Sequence, residues 1–392
     1  MNRMDLSMKE FIKEYMEHII PVSFVLVTPE GKTQIGKEKP EFTVTMHQMP
    51  DKKALLTSTS LALGEAYMKG DLEVDRDLYQ VLDLFKGQMS KFSLDHKALK
   101  HLYMTSRSKS NQKEEVTSHY DIGNDFYRLW LDDSMSYSCG YFKQCTDSLY
   151  EAQVGKVDHI LEKLQLKEGM TLLDIGCGWG FLLKRAVVKY GVKGVGITLS
   201  EEQYKKFSKE IKDSGMEDKL SVKLMDYRDL KDSGMQFDRI VSVGMIEHVG
   251  RGNYELFLDN VNAVLKSKGL FLLRYIGALK EHDGDAFIKK YIFPGGIIPS
   301  LREIITLLPD YNFYTLDVES LRRHYTRTLL CWRDNFLKNR EKIVEMQGEE
   351  FTKMWELYLT SCAATFHNGI VDLYQVLVSK DVNNDLPMIR KA

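Results

Sequence analysis

From Met170 onward the chain alternates between short apolar runs and amphipathic stretches, and this alternation limits its fold more than any other feature. MTLLDIG is an apolar run ending in glycine, and FLLKRAVVKY carries apolar residues at helical spacing. VKGVGITLS is a second apolar run, and EEQYKKFSKEIKDSG is a charged helical stretch closed by Gly215. LSVKLMD, FDRIVSVG and GLFLLRYI read as three more strands, with YELFLDNVNAVLKSKG as the helix between the last two. Strands joined through helices return to the same end of a sheet. The pattern therefore predicts an open, mostly parallel α/β sheet with both faces covered. Ligands of such a sheet lie at the carboxyl ends of its strands.

The first ~110 residues have a different texture. Phe11, Tyr15, Ile19 and Ile20 recur at helical spacing, and PVSFVLVTPEGKTQIG reads as two strands around a Pro-Glu-Gly turn. FTVTMHQMP alternates like a half-buried strand, and LGEAYMKGDLEV and LYQVLDLF return to helical patterns. Residues 104–115, MTSRSKSNQKEE, are polar and poor in apolar side chains, which predicts a linker. The chain thus divides into a small α+β domain over 1–103, the linker, and a larger domain over 116–392. No acid occurs from Lys97 until Glu114. That basic run is either a solvated loop or a surface for anionic lipid head groups, where each Lys or Arg contributes ~1 kcal/mol.

Several classes are excluded. A formal net charge of -2 is not that of a nucleic-acid binder. No apolar run reaches the ~20 residues of a membrane-spanning helix. The opening MNRMDLSMKEFIKEYMEHII has neither the apolar core nor the cleavage site of a signal peptide. Membrane contact is therefore expected to be peripheral. The five cysteines are scattered without a CxxC pair, against a disulfide framework or zinc site and in keeping with a cytoplasmic protein. There is no HExxH or paired-carboxylate signature, so no metal is expected.

The chemistry-bearing stretch is Leu172-Leu173-Asp174-Ile175-Gly176-Cys177-Gly178-Trp179-Gly180. Glycines let backbone approach a ligand closely and adopt positive φ. A dinucleotide fingerprint is GxGxxG, because a pyrophosphate docks on the helix N-terminus. Here the spacing is GxGxG, and Asp174 stands two residues before the first glycine. An acid there suits a nucleoside with positive charge and no phosphate, such as S-adenosylmethionine. The next strand ends Thr198-Leu199-Ser200, followed by Gln203. Ser200 and Gln203 can bond a ribose, and Ser200 also fits a helix N-cap before an acidic first turn. Asp226 and Tyr227 end the third strand, either flanking an adenine or forming a packed aromatic beside a turn acid.

Several segments resemble the cyclopropane-fatty-acyl-phospholipid synthase family, which includes the mycolic acid cyclopropane synthases. They are HYDIGNDFYRLWLDDSMSYSCGYF, LQLKEGMTLLDIGCGWG, FDRIVSVGMIEHVG, KYIFPGGIIPS, HYTRTLLCW and YLTSCAATF, over about residues 116–380 and in family order. The resemblance implies a Rossmann-like class I S-adenosylmethionine-dependent methyltransferase fold. It implies methylene transfer to a cis double bond of a phospholipid acyl chain. It further implies a homodimer acting peripherally at a membrane, on the inner face. The N-terminal part resembles the extra domain of the phospholipid-acting bacterial branch. Tyr137, Ser138, the Asp174–Gly180 turn with Gly176, Cys177 and Gly178, Thr198 to Gln203, Asp226 and Tyr227 match cofactor positions. Cys139, Glu247, Tyr325 and the Ile276 backbone match positions that hold a bicarbonate ion, and Cys362 matches the family's active-site cysteine.

One position departs from the family. Where LLHTIG is common, this chain has Leu272-Leu273-Arg274-Tyr275-Ile276-Gly277, so the histidine expected on the anion is Arg274. An arginine still pairs with an anion as an always-charged planar fork, but does not titrate near neutrality. The reaction itself explains the rest. An alkene is a weak nucleophile that must be aligned with the methyl group in a dry site. The resulting carbocation suits aromatic faces, for which Tyr275, Tyr291, Tyr325, Trp332 and Phe366 are candidates that read equally as core. A base must then remove a proton, either bicarbonate or Glu247. No step requires covalent catalysis, so Cys362 reads as a structural or pocket-lining thiol and His248 as a structural imidazole. Methylation of a small amine or hydroxyl is the alternative, and the joint presence of Cys139, Glu247 and Tyr325 argues against it.

Overall fold

The computed structural model describes residues 22–89, 123–281 and 284–389. The expected linker, the basic run before Glu114 and the helical spacing from Phe11 to Ile20 lie outside the described residues. Compactness divides the chain into two units that are not consecutive in sequence. One combines the N-terminal residues with 284–294 and 325–371, and the other takes 123–281, 295–324 and the last strand.

The second unit holds a seven-stranded sheet. Its parallel strands are β5 (Thr171–Ile175), β6 (Lys193–Thr198), β7 (Leu220–Leu224), β8 (Phe237–Val243) and β9 (Leu265–Gly277). Beyond β9 come β11 (Asp372–Lys380), antiparallel to both neighbours, and β10 (Phe313–Ser320) at the edge, giving the order β10-β11-β9-β8-β5-β6-β7. This is the open, mostly parallel α/β sheet expected from the alternation. The chain leaves β5 toward β6 on one side and reaches β8 on the other, so the topological switch point is at the end of β5.

Side chains on these strands alternate between two cores. Leu173, Ile175 and Leu273 face one with Phe257, Val261 and Phe271, while Leu172, Val241 and Leu272 face the other with Val157, Leu183 and Phe207. A period of two with both faces buried explains why the strands read as unbroken apolar runs. The helices start where the sequence supplies caps. Ser148 and Glu151 form a capping box before Leu149–Lys163, and Ser200 caps Glu201–Asp213 by accepting from Gln203 N. Such caps contribute ~0.5–2 kcal/mol each.

The first unit contains β1 (Phe24–Thr28), β2 (Gly31–Ile35), β3 (Thr43–Met46) and β4 (Leu72–Val74) in the order β2-β1-β3-β4. The Pro-Glu-Gly hairpin forms as expected, with Thr28 opposite Gly31. Phe24 stacks on Phe42 at 5.4 Å, and Phe85 meets both rings edge-on at 5.8 Å. Helix Glu349–His367 belongs here because it packs on helices Thr59–Lys69 and Leu78–Met89. At its end His367 Nδ1 lies 2.6 Å from Asp83, and Asn368 Nδ2 donates to the same carboxylate at 2.7 Å. A reading along the chain cannot see that a late helix completes an early domain.

Three local expectations change. The helical reading of LGEAYMKGDLEV holds only to Lys69, because Gly70 takes φ 81° and ends the helix, and Leu72–Val74 is a strand. The helix read through Gly269 stops at Val264, where Leu265 begins pairing with Phe237. The strands Phe313–Ser320 and Asp372–Lys380 were not anticipated, because each stands apart from the repeating strand–helix units. No helix among the described residues is long and apolar enough to cross a membrane.

Candidate active site

The glycine turn adopts the conformation its sequence demands. Gly176, Gly178 and Gly180 all have positive φ, of 83°, 55° and 81°. Gly176 N and Cys177 N both donate to Ile197 O, which ties the turn to the next strand. A Cβ on Gly180 would stand 2.1 Å from the Phe207 ring, whereas one on Gly178 would meet nothing within 4 Å. The turn is thus packed from behind and open at its middle glycine.

Asp174 is 3% exposed, and its Oδ1 has no hydrogen-bond partner among the described residues. Burial raises its carboxyl to about 7, against the pull of Lys156. An orphaned buried acid beside an open glycine turn fits a cationic ligand, since it otherwise carries the full cost of desolvation. At the end of β6, Thr198 Oγ1 donates to Gln203 Oε1 at 2.8 Å and accepts from Ser200 N at 3.1 Å. Leu199 lies between them. Ser200 performs the capping role, and Gln203 is held in place by Thr198.

Asp226 caps the short turn after β7, accepting from Arg228 N at 2.9 Å, with Arg228 Nε at 3.4 Å. Tyr227 is packed into the core, its ring 5.4 Å from Phe257. Tyr137 sits among aromatic rings, 5.2 Å from Trp130 and 5.6 Å from Tyr127, and Tyr127 in turn lies 5.9 Å from Trp179 of the glycine turn. Cys177 is buried, which pushes its thiol well above the ordinary range.

Glu247 stands just after β8. Its Oε1 accepts from Ile276 N at 2.7 Å, and its buried Oε2 has no partner among the described residues. Burial raises this carboxyl to about 7, although the Ile276 N–H works in the opposite direction. The Ile276 N–H matched to an anion site is therefore donated to Glu247 in this structure. Arg274, two residues earlier on β9, is 1% exposed. Its charge is felt by Lys156 and His324. Cys139 is 1% exposed, and its Sγ donates to Gly140 O at 3.1 Å. His248 is a neutral imidazole, with burial lowering it to about 4.

The remaining two candidates belong to the other unit. Tyr325 lies 4.4 Å from Phe366 and 6.1 Å from Trp332, ring centre to ring centre. Burial pushes the Cys362 thiol up to about 12, so it is protonated at neutral pH. No cluster of metal-ligating side chains occurs among the described residues.

Two features escaped the sequence reading. Helix Leu149–Lys163 buries Gln153 and Lys156 along with Ala152, Val157 and Ile160. Polar residues at the core positions of an amphipathic helix were the available signal. The second is a stack in which Tyr141 lies between His159 at 4.2 Å and His324 at 4.7 Å. His324 Nδ1 accepts from Phe142 N at 3.1 Å, so it is the neutral tautomer with its proton on Nε2. His159 Nε2 lies 2.7 Å from Glu319, which Lys163 also engages. Burial works against that carboxyl, but the bonds from His159 and Lys163 win and hold it at about 2.

Comparison with known proteins bears on the whole chain. The family model described as mycolic acid cyclopropane synthetase matches residues 107–376, and a domain family of unknown function matches 8–97. The cyclopropane-fatty-acyl-phospholipid synthase of Escherichia coli K12 is 40% identical over 349 residues, covering 86% of this chain and 88% of that protein. A probable fatty acid methyltransferase of Pseudomonas putida is 37% identical over 363 residues, covering 90% and 91%. Among solved structures, a mycolic acid cyclopropane synthase complexed with SAH and CTAB is 35% identical with a TM-score of 0.64, covering 68% of this chain and 98% of that one.

Proposed function

The chain belongs to the mycolic acid cyclopropane synthetase family, and from that premise we propose that it transfers a methylene group from S-adenosylmethionine to a cis double bond in a phospholipid acyl chain, closing a cyclopropane ring. The observation that carries this reading is Glu247: a carboxyl whose Oε1 is anchored to the Ile276 N–H of β9 and whose buried Oε2 has no partner among the described residues. S-adenosylmethionine, when bound, supplies an electrophilic methyl group on a sulfonium. Asp174 and the open glycine turn would hold it, with Thr198, Ser200 and Gln203 set to bond the nucleoside.

The remaining chemistry falls to the protein. As the alkene bonds to the methyl carbon, that carbon's bond to sulfur breaks and the neutral thioether leaves; the acyl chain is left with a cation, and loss of a proton from the bridging carbon lets that C–H electron pair close the ring. A proton acceptor with an affinity near the working pH is the most effective, and a positioned one accelerates by ~10²–10⁴-fold. Glu247 meets that requirement. Bicarbonate is the base implied by the resemblance, at Cys139, Glu247 and the Ile276 backbone, with Arg274 standing where the family has His. Arg274 supports an anion here through its permanent charge, and the Ile276 N–H becomes available to one if Glu247 gives it up. A phospholipid substrate calls for a peripheral protein at the membrane surface, which we read as cytoplasmic and homodimeric.

The test uses purified protein, S-adenosylmethionine labelled in its methyl group, and vesicles of unsaturated phospholipid. Labelled cyclopropane acyl chains are expected by mass spectrometry of the extracted lipid. Label confined to water-soluble products would reject the proposal.

A further inference from the structure

Helix Leu149–Lys163 directs two polar side chains at the segment Ser136–Cys139. Gln153 Nε2 donates to Ser138 O at 2.8 Å, and Lys156 Nζ donates to Ser138 Oγ at 2.9 Å. Neither is at the surface: Gln153 is 0% exposed and Lys156 is 5% exposed. Ser138 Oγ is the one hydrogen-bond partner of Lys156 Nζ among the described residues, although an ammonium has three donors. No carboxylate among the described residues lies within ion-pair distance of it. Gln153 Oε1 is likewise buried without a partner among the described residues.

A buried ammonium held by a single neutral hydroxyl is costly. The helix that carries it is firmly held. Asp158, two residues on, takes a two-pronged bond from Arg185 at 2.6 and 2.8 Å, and His159 meets Glu319. Burial, then the charge of Arg274, brings Lys156 down to about 7, while Asp132, Cys139 and Asp174 pull the other way. Lys156 and Asp174 are thus near enough to influence each other's ionisation, yet they form no ion pair.

Lys156 thus ends on Ser138, next to Tyr137, whose ring packs on Tyr127 and through it on Trp179 of the glycine turn, while Asp174, with an unpartnered Oδ1 among the described residues, stands two residues before that turn's first glycine. A ligand with both an α-ammonium and an α-carboxylate satisfies both at once, and the donor's methionine half has this pattern. We propose that Lys156 is the counter-ion for the donor's α-carboxylate, presented beside Ser138 and steadied by Gln153, while Asp174 receives the α-ammonium. The inference rests on the donor reading above and adds a binding residue that neither the glycine turn nor the YSC segment contains.

The test is calorimetric and needs no turnover. Full-length protein is titrated with S-adenosylhomocysteine and with its decarboxylated analogue, which keeps the adenosine, the thioether and the amine. The wild type should prefer the carboxylate-bearing ligand by about 10–100-fold, as expected for a charge-assisted bond. K156Q and K156M should lose most of that preference while binding the decarboxylated analogue within about threefold of wild type. A variant that weakens both ligands equally would mean Lys156 only props Ser138, and would overturn the inference. A wild-type preference near unity would overturn it without any variant, so a failure of the variants to fold leaves the question decidable. Binding of neither ligand by wild type would instead remove the donor reading itself.

Discussion

Substituting Gly180 by alanine tests how the glycine turn is built. Gly180 has φ 81° and ψ 12° and begins helix Phe181–Tyr190 without a side-chain cap. A new Cβ would lie 2.1 Å from Cε2 and Cζ of Phe207 and 2.4 Å from its Cδ2. Phe207 is 0% exposed in the core shared with Leu183 and Ile211, so its ring has nowhere to retreat. The left-handed backbone costs about 1–2 kcal/mol for a residue with a Cβ. Overpacking adds about 1–3 kcal/mol. The sum, about 2–5 kcal/mol, corresponds to a fall of roughly 4–20 °C in the melting point of a domain of 150–250 residues. Gly178 is the control, since it has φ 55° and a Cβ there meets nothing within 4 Å. G178A should melt about 2–8 °C lower, less than G180A, yet lose at least about 10-fold in affinity for S-adenosylhomocysteine, because its methyl group projects where a ligand must come close. The assays are thermal unfolding and titration of both variants. A G180A protein that melts within a degree of wild type, or one more stable than G178A, would refute this account of the turn.

Two further outcomes follow from the site. Glu247→Gln should lower turnover by about 10²-fold or more and leave the affinity for S-adenosylhomocysteine within about twofold, because its carboxyl meets Ile276 rather than the glycine turn. Burial has raised that carboxyl to about 7, and the proposed base is its ionised form, so the wild-type rate at saturating donor should climb as pH rises through about 7 and level off above. A flat profile between about pH 6 and 8 would separate Glu247 from proton removal. Cys362, whose thiol burial pushes up to about 12, should resist alkylation at pH 8 while the exposed Cys145 reacts. Peptide mapping checks this, and a loss of ~100-fold in turnover for Cys362→Ala would give the thiol back a chemical role.

What the sequence determined by itself was local. Strand–helix alternation from Met170, the positive-φ glycines and the Ser200 cap depend on near neighbours, and those are the features read correctly from residues alone. The GxGxG spacing with Asp174 pointed to a cationic nucleoside for the same reason: backbone approach and local charge are encoded within seven residues. Whether Tyr227 faced a ligand or the core stayed open until packing put it against Phe257. Tertiary structure alone decided that β11 enters antiparallel between β9 and β10, and that helix Glu349–His367 completes the N-terminal unit. It also brought the Ile276 N–H, 29 residues away, onto Glu247, and turned Lys156 inward to Ser138, 18 residues away. Such pairings arise from the twist of a sheet and the rotation of a helix over it. Periodicity along the chain says which side of an element is buried, but not which distant atom waits there.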